Sequence, residues 1–478
     1  MINVSKEKAI TLLNETCRLK LSTFTQRAFH TIDPGASYLH NWHIDAIAEY
    51  LTACYNRDIK RLIINIPPRY MKSISVTVAW PAWLLGRNPD EKILAASYSQ
   101  QLSTKHSLDC RHLIQSKWYG DVFPNVILSK DENQKTRFET TEKGHRIATS
   151  VGGSSTGEGG NILIVDDPHN PMQAASEVQR LTALTWFDQT FSSRLNNKKD
   201  GVIVVVMQRL HTNDLTGHLK EKGGWEHLCL PAIAEKKQII HIGNFYKERN
   251  ENEVLHPERE GLKELSIVKK ELGSYAFSGQ YQQLPSPLGG GIFKDIWWKY
   301  FEILPKIKYS LIIADTAMKT GEMNDYSVFM CICMGEDKNA YIIDILRGKW
   351  EAPQLKTQFV AFYNKHKANS NIKLRNAAIE DKASGTGLIQ SIKQESKIPV
   401  KAIKRDTKDK VTRAMSVAPY VESGYVYLPK NATWLSDFTS EASGFPNAPH
   451  DDQVDVLSDA LDQLYNKKQE FNIRVINV

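Results

Sequence analysis

Cysteine is scarce in this 478-residue chain, and its six thiols are scattered at Cys17, Cys54, Cys110, Cys229, Cys331 and Cys333. They form no zinc-ligand spacing and no disulfide framework, which fits a reducing compartment. Only Cys331 and Cys333 are close; on a strand through Phe329–Cys333 they share one face and read as buried thiols. Long apolar runs are missing too. None reaches the roughly 18 residues of a membrane-spanning helix, and no charged-then-apolar leader opens the chain. The expectation is a soluble intracellular protein with no membrane partner. Internal repeats are not evident. Charge of one sign is in small excess: 61 Lys and Arg against 54 Asp and Glu give +7, which permits a polyanionic partner without requiring one. The rest is ordinary globular composition, 41% hydrophobic and 24% charged, in a chain long enough for two or three domains.

Glycine is missing where one motif would want it. The apolar run Leu62–Ile66 reads as a buried parallel strand, and Pro67-Pro68 end it. Lys72-Ser73 follow, then Ile74–Leu85, apolar and long enough for a packed helix. Strand, tight loop, Lys-Ser, helix is the layout of a phosphate-binding loop. There, backbone N–H groups hold phosphates, the lysine reaches the outer ones and the hydroxyl binds Mg²⁺. Ile66 and Met71, however, stand where G-x-x-x-x-G-K-S/T has its glycines. Arg69 lies in the loop, either contacting a γ-phosphate or standing as a surface arginine. Asn161–Val165 is a strand that delivers Asp166 and Asp167 at its C-terminal end, where parallel α/β sheets bind ligands. Asp166 would hold a Mg²⁺ water shell beside Ser73 and Asp167 would polarise the attacking water; an acidic helix cap is the plainer alternative. Trp42, at the start of a helix Asn41–Tyr55, either stacks on a nucleotide base or packs the helix entry. Gln208–Leu215, after the β-branched run Gly201–Met207, reads as a γ-phosphate sensor or as a hydrogen-bonded loop. With strands at Lys92–Tyr98 and Arg146–Ser150 and helices between, this half is predicted to be a parallel sheet wrapped by helices.

Gln282–Gly291 is the clearest linker, because its prolines and three glycines do not belong inside an element. Beyond it, Tyr309–Asp315, Tyr326–Met334 and Ala340–Leu346 are spaced as an antiparallel meander. A helix Gln354–Lys367, a strand ending Ala377–Glu380, a helix after Gly385 and a strand Val400–Ile403 complete an RNase H-like α/β pattern. Asp315 and Glu380 end strands with apolar neighbours, and buried carboxylates are costly unless paired with a metal. His450-Asp451-Asp452-Gln453-Val454-Asp455 opens a helix whose wheel puts Asp451, Asp452, Asp455, Asp459 and Asp462 on one face. Asp459 and Asp462 read as solvated. The earlier acids, with Asp315 and Glu380, make a candidate set for two Mg²⁺ or Mn²⁺ ions about 4 Å apart, which activate water for phosphodiester cleavage. Asp325 reads as a turn cap; Asp344 has no assignment.

Together these pieces resemble the large subunit of a tailed-phage or prophage terminase, from about residue 40 to 465. They are Pro67–Ser73, Ile162–Pro168, Gln208–Leu215, the Gln282–Pro285 linker, Asp315, Glu380–Gly385 and His450–Asp455, and their order and spacing carry the likeness. The resemblance implies an α/β fold: a P-loop ATPase of the additional-strand type followed by an RNase H-like nuclease. It implies residues 1–40 as a helical lead-in, 41–281 as ATPase, 282–291 as linker, 292–466 as nuclease and 467–478 as a tail. It implies ATP and Mg²⁺ as cofactors, with Mn²⁺ possible at the nuclease. Lys72, Ser73 and Arg69 would bind phosphate, Asp166 the Mg²⁺, and Asp167 would activate water. Asp315, Glu380, Asp451 and Asp452 would be catalytic metal ligands, Asp455 a further one. The implied partners are double-stranded DNA, a small terminase subunit and the portal of a procapsid, on which the motor forms a pentamer in the host-cell cytoplasm. Two departures stand out. Met71 replaces a glycine, and Glu158 falls where an arginine acting across subunits is expected, leaving Arg111 or Arg146 for that part. A helicase-nuclease of repair or restriction is the enzyme alternative, but the linker leads straight to the nuclease without a second motor domain. A decayed, non-catalytic DNA-binding assembly factor is the other.

Overall fold

A computed structural model describes residues 6–153, 157–285, 291–317, 326–382, 384–405, 409–448 and 450–466. Asp325, most of the glycine-rich part of the linker and the tail 467–478 lie outside them. The chain divides into two compact units, Met1–Pro287 and Leu288–Val478.

The first unit is built on an eight-stranded sheet. Its strands in chain order are β1 (Arg61–Asn65), β2 (Lys92–Ser97), β3 (Leu128–Asn133), β4 (Arg137–Thr140), β5 (His145–Ser150), β6 (Ile162–Asp166), β7 (Val202–Met207) and β8 (Glu226–Cys229). They lie in the order β3-β4-β5-β2-β6-β7-β1-β8, parallel from β5 to β8. The antiparallel β3 and β4 were not foreseen, nor was the separate hairpin of β9 (Gln238–Ile242) and β10 (Phe245–Arg249). Strand β7, buried along its whole length, lies between β1 and β6. Alternate residues serve opposite faces. Leu62, Ile64, Ile93, Ile162 and Val204 join one core, while Ile63, Leu94, Leu163, Val165 and Val205 join the other. The lead-in helices Lys6–Leu19 and Leu21–Ile32 pack Cys17, Leu21, Phe24 and Ala28 into the first of these cores. The helix after Ser73 begins as a wide, π-type segment Ile74–Ala79 and continues as Trp80–Arg87. The predicted linker starts out firmly held: Gln282 bonds the backbone of Ile233, and Gln283 accepts from Arg209 N–H at 3.0 Å.

The second unit has a seven-stranded sheet. Its strands are β11 (Lys299–Phe301), β12 (Ile307–Asp315), β13 (Ser327–Gly335), β14 (Ala340–Gly348), β15 (Leu374–Glu380), β16 (Val400–Ile403) and β17 (Val426–Pro429), ordered β11-β17-β14-β13-β12-β15-β16. β12, β13 and β14 form the antiparallel meander, and β15 joins β12 in parallel. One sheet face carries Cys331 and Cys333, both buried, against helices Ala352–Lys367 and Ser384–Glu395. The other packs on helices Lys410–Glu422 and Asp452–Leu461. Meander first, then β-α units, is the RNase H-like arrangement.

Candidate active sites

In the first unit, β1, β6 and β7 run parallel and present Pro67, Asp166 and Gln208 at one edge of the sheet. The loop after β1 turns through two residues with side chains at positive φ, Arg69 at 68° and Met71 at 62°. The missing glycine thus costs conformation and not shape, because the left-handed turn forms without it. Lys72 Nζ lies 2.9 Å from Asp167 Oδ2. Asp166 is fully buried; its Oδ2 accepts from Thr77 Oγ1 at 2.8 Å, with His106 Nδ1 3.4 Å away. Burial pushes both Asp166 and Asp167 above the usual carboxylate range, against the pull of Lys72. Asp166 Oδ1 and Gln208 Oε1 are buried with no hydrogen-bond partner among the described residues. An orphaned carboxylate oxygen beside a serine hydroxyl suits the water shell of a Mg²⁺ ion.

A cleft of about 680 Å³ opens here, lined by Pro68–Ile74, Lys105, His106, Asp167, Gln208 and Arg259, with Phe29, Leu39, His43 and Ile44 also on its wall. Arg259 donates to the Arg69 carbonyl and lies over the Tyr70 ring at 5.2 Å, holding the loop from outside. Several expectations need correction. Trp42 does not line the cleft: its ring faces Lys247 and Arg249, at 5.5 and 5.6 Å, and its neighbour His43 lines the cleft instead. Arg146 is wholly buried and donates to the Thr77 carbonyl at 3.2 Å, so no neighbouring subunit can reach it. Arg111 bonds Asn133, and Glu158 pairs with Arg137. Within Gln208–Leu215, only Gln208 faces the cleft; Arg209 is spent on Asp214 at 3.0 Å. Thr77 was overlooked, although it stands four residues after Ser73 and so on the same helical face.

In the second unit Asp315 and Glu380 end the adjacent parallel strands β12 and β15, and their carboxyl groups hydrogen-bond each other. Gly385 packs so closely on the Glu380 carbonyl that a side chain there would collide with it. Burial and the Asp315 charge push Glu380 up to about 8. Burial pushes Asp315 up, but the Arg405 charge together with hydrogen bonds from Arg405, Glu380 and the Thr316 backbone holds it below its usual value. Arg405 was not foreseen. Following β16, it reaches Glu380 at 2.8 Å, Asp315 at 2.9 Å, Asp459 at 2.8 Å and Asp455 at 3.8 Å. Arg413 pairs with Asp455 at 2.7 Å and Asp459 at 3.4 Å, and Lys410 with Asp451 at 2.6 Å and Asp455 at 3.3 Å. Asp452 is buried and accepts from the Tyr326 backbone N–H at 3.1 Å.

The solvated acidic face read from the wheel is therefore wrong for Asp459, which is 6% exposed; the helix Asp452–Leu461 is buried all round. Nor do the acids close on a metal as drawn from sequence. Among the described residues no three or more His, Cys, Asp or Glu side chains are arranged to hold an ion. Asp315, Glu380 and Asp455 are oxygen donors of the kind a hard divalent cation takes, but in this arrangement they converge on the Arg405 guanidinium, while Asp451 pairs with Lys410 and Asp452 with the Tyr326 N–H. Asp344 pairs with Lys365 and His366.

Residues 312–464 match the family model of the terminase RNase H-like domain. The sequence matches none of the curated proteins. The large terminase of one thermophilic bacteriophage superposes with a TM-score of 0.51 at 10% identity, over 87% of this chain and 98% of that one. The HK97 bacteriophage large terminase gives 0.36 at 11% identity, over 86% and 90%. The large terminase nuclease of the thermophilic phage G20c, with bound magnesium, gives 0.29 at 15% identity, over 37% and 99%. Residues 312–464 are thus similar to the terminase RNase H-like domain, in a chain that shares its fold with a phage large terminase.

Proposed function

We propose that this chain is a terminase large subunit that drives double-stranded DNA into a procapsid by ATP hydrolysis and cuts concatemeric DNA. The observation that carries the reading is the pairing of two sites in one chain: a Lys-Ser loop over a buried Asp166, and a carboxylate cluster ending an RNase H-like sheet. Lys72, Ser73 and Arg69 would take the phosphates, and Asp166, which keeps an unpartnered oxygen, would with Ser73 hold the Mg²⁺ that neutralises them. Lys72 rests on Asp167 until a phosphate competes for it. Turning to the phosphate, it frees Asp167 to accept a proton from the attacking water, a part suited to a carboxylate whose affinity for protons burial has raised. Gln208 reports the outer phosphate to the rest of the unit. At the second site, Asp315 and Glu380 would hold divalent ions, Mg²⁺ or Mn²⁺, with Asp451, Asp452 and Asp455 beside them. Bound there, the ions supply an activated water and stabilise the leaving oxygen. The partners on this reading are DNA, a small subunit that selects the packaging site, and a portal on which the large subunits assemble as a pentamer.

Packaging into cognate procapsids tests it. Wild type should fill them, Lys72→Ala should hydrolyse ATP at least ~100-fold more slowly and fill none, and Asp315→Asn should keep its ATPase while losing cleavage. Intact ATPase and nuclease without packaging would move the assignment to a repair or restriction enzyme.

A further inference from the structure

Arg405 occupies the ground on which the nuclease reading depends. Its guanidinium bonds Asp315, Glu380 and Asp459 within 2.9 Å and approaches Asp455 at 3.8 Å. Asp315 and Glu380 are the two strand-end acids that a metal would need first. Both aim an oxygen at the same guanidinium, and no metal-holding group forms among the described residues. A guanidinium does not lose its proton in a protein, so raising the pH cannot remove it; near neutral pH a competing cation can.

We propose that Arg405 and a divalent metal are alternative occupants of one carboxylate cage. Metal enters only as Arg405 withdraws, and the residue thereby sets the metal concentration the site requires. This rests on the nuclease reading above. The side chain is a suitable stopper: a planar fork satisfies several carboxylates at once, which a compact ammonium does not. It also follows β16 directly, so it can withdraw without disturbing the strands that carry Asp315 and Glu380. Arg413 and Lys410 remain to neutralise Asp455, Asp459 and Asp451 when Arg405 leaves.

Calorimetric titration of the full chain with MnCl₂ tests the exchange. R405Q should bind Mn²⁺ about tenfold more tightly than wild type, about 1.4 kcal/mol. It should melt lower than wild type without metal and gain more from adding it. R405K, which keeps the charge and loses the fork, should bind with intermediate affinity, and it serves alone if R405Q does not fold. Affinity in R405K equal to wild type would show that charge alone matters and overturn the exchange. So would R405Q binding no tighter than wild type; if Asp315→Asn then abolishes binding, the nuclease site stands and only the part given to Arg405 falls. No Mn²⁺ binding by any variant would sink both.

Discussion

In the first unit a single cation, Lys72, rests on one partly exposed carboxylate at the mouth of a cleft. In the second, Arg405, Arg413 and Lys410 are threaded through five carboxylates, Asp315 and Glu380 both meeting the Arg405 guanidinium. Each site neutralises itself with its own side chains, but one does so with a single ion pair and the other with a network. The difference follows from what each waits for. An anion needs one lysine to turn toward it. A concentration of buried acids cannot stand unpaired at all, since the desolvation of each charge has to be met by a neighbour.

The comparison breaks most visibly on removing an acid from the network. Asp459→Ala leaves Arg405 and Arg413 short of a buried partner, and should cost the second unit ~3–5 kcal/mol in chemical denaturation. Lys72→Ala, by contrast, should abolish ATP turnover while shifting denaturation of the first unit by only ~1–3 kcal/mol, as it breaks one partly buried pair and not a network. Equal losses from the two would show that the Lys72–Asp167 pair is structural too.

Thr77→Val sharpens the first site from within. It deletes the donor to Asp166 Oδ2 at nearly constant volume, and an unsatisfied buried carboxylate oxygen should cost ~1–3 kcal/mol. Because that hydrogen bond also fixes the carboxylate whose other oxygen would face the metal's water shell, half-saturating Mg²⁺ for ATPase should rise as well. A stability loss with unchanged Mg²⁺ dependence would confine Thr77 to packing.

Acidity separates the two strand-end acids of the second site by sign. Glu380, raised from 4.5 to about 8 by burial and by Asp315, binds a proton more tightly folded than unfolded. Its contribution to stability is complete below 4.5 and disappears as pH rises through 8. Asp315, depressed by Arg405, contributes in the opposite direction, and its share is lost only in acid. Metal-free protein should therefore lose stability between mildly acidic and alkaline pH, and Glu380→Gln, which keeps a hydrogen bond to Asp315, should flatten that slope. Following the melting temperature of both proteins across this range decides it; parallel profiles would remove Glu380 as the source.

Period and punctuation made the strands legible: β1, β6, β7 and the meander fall within a residue or two of where apolar runs place them. With β15 they carry Lys72, Asp166, Asp167, Asp315 and Glu380 to the strand ends read for them, because a strand's last residue is fixed by the run before it. What was illegible lies across the chain. Arg405 meets Asp315 over 90 residues and Arg259 meets Arg69 over 190, and no local pattern encodes either contact. The helix Asp452–Leu461 shows why a wheel can mislead. Its polar face is as regular as a solvated one, yet it faces arginines, and periodicity reports that a face is polar without reporting what it touches. Trp42 failed for a related reason: at the start of a helix one residue's difference, Trp42 or His43, decides which side chain meets the cleft.

The smallest effect concerns the loop itself, where two residues with side chains hold a left-handed backbone that glycine would take freely. At φ 62° Met71 carries a strain of ~1–2 kcal/mol, while glycine would add ~0.5–1 kcal/mol of unfolded-state entropy. Met71→Gly should therefore stabilise the first unit by up to ~1 kcal/mol and leave nucleotide affinity equal or better. Arg69→Gly, at φ 68°, should relieve the same strain but slow ATP turnover, since there the side chain is wanted at the phosphate. Calorimetric nucleotide titrations of the two variants place them side by side. If Met71→Gly weakens binding strongly, its side chain is part of the cleft wall that grips the nucleotide, and the strain at this position is maintained for contact.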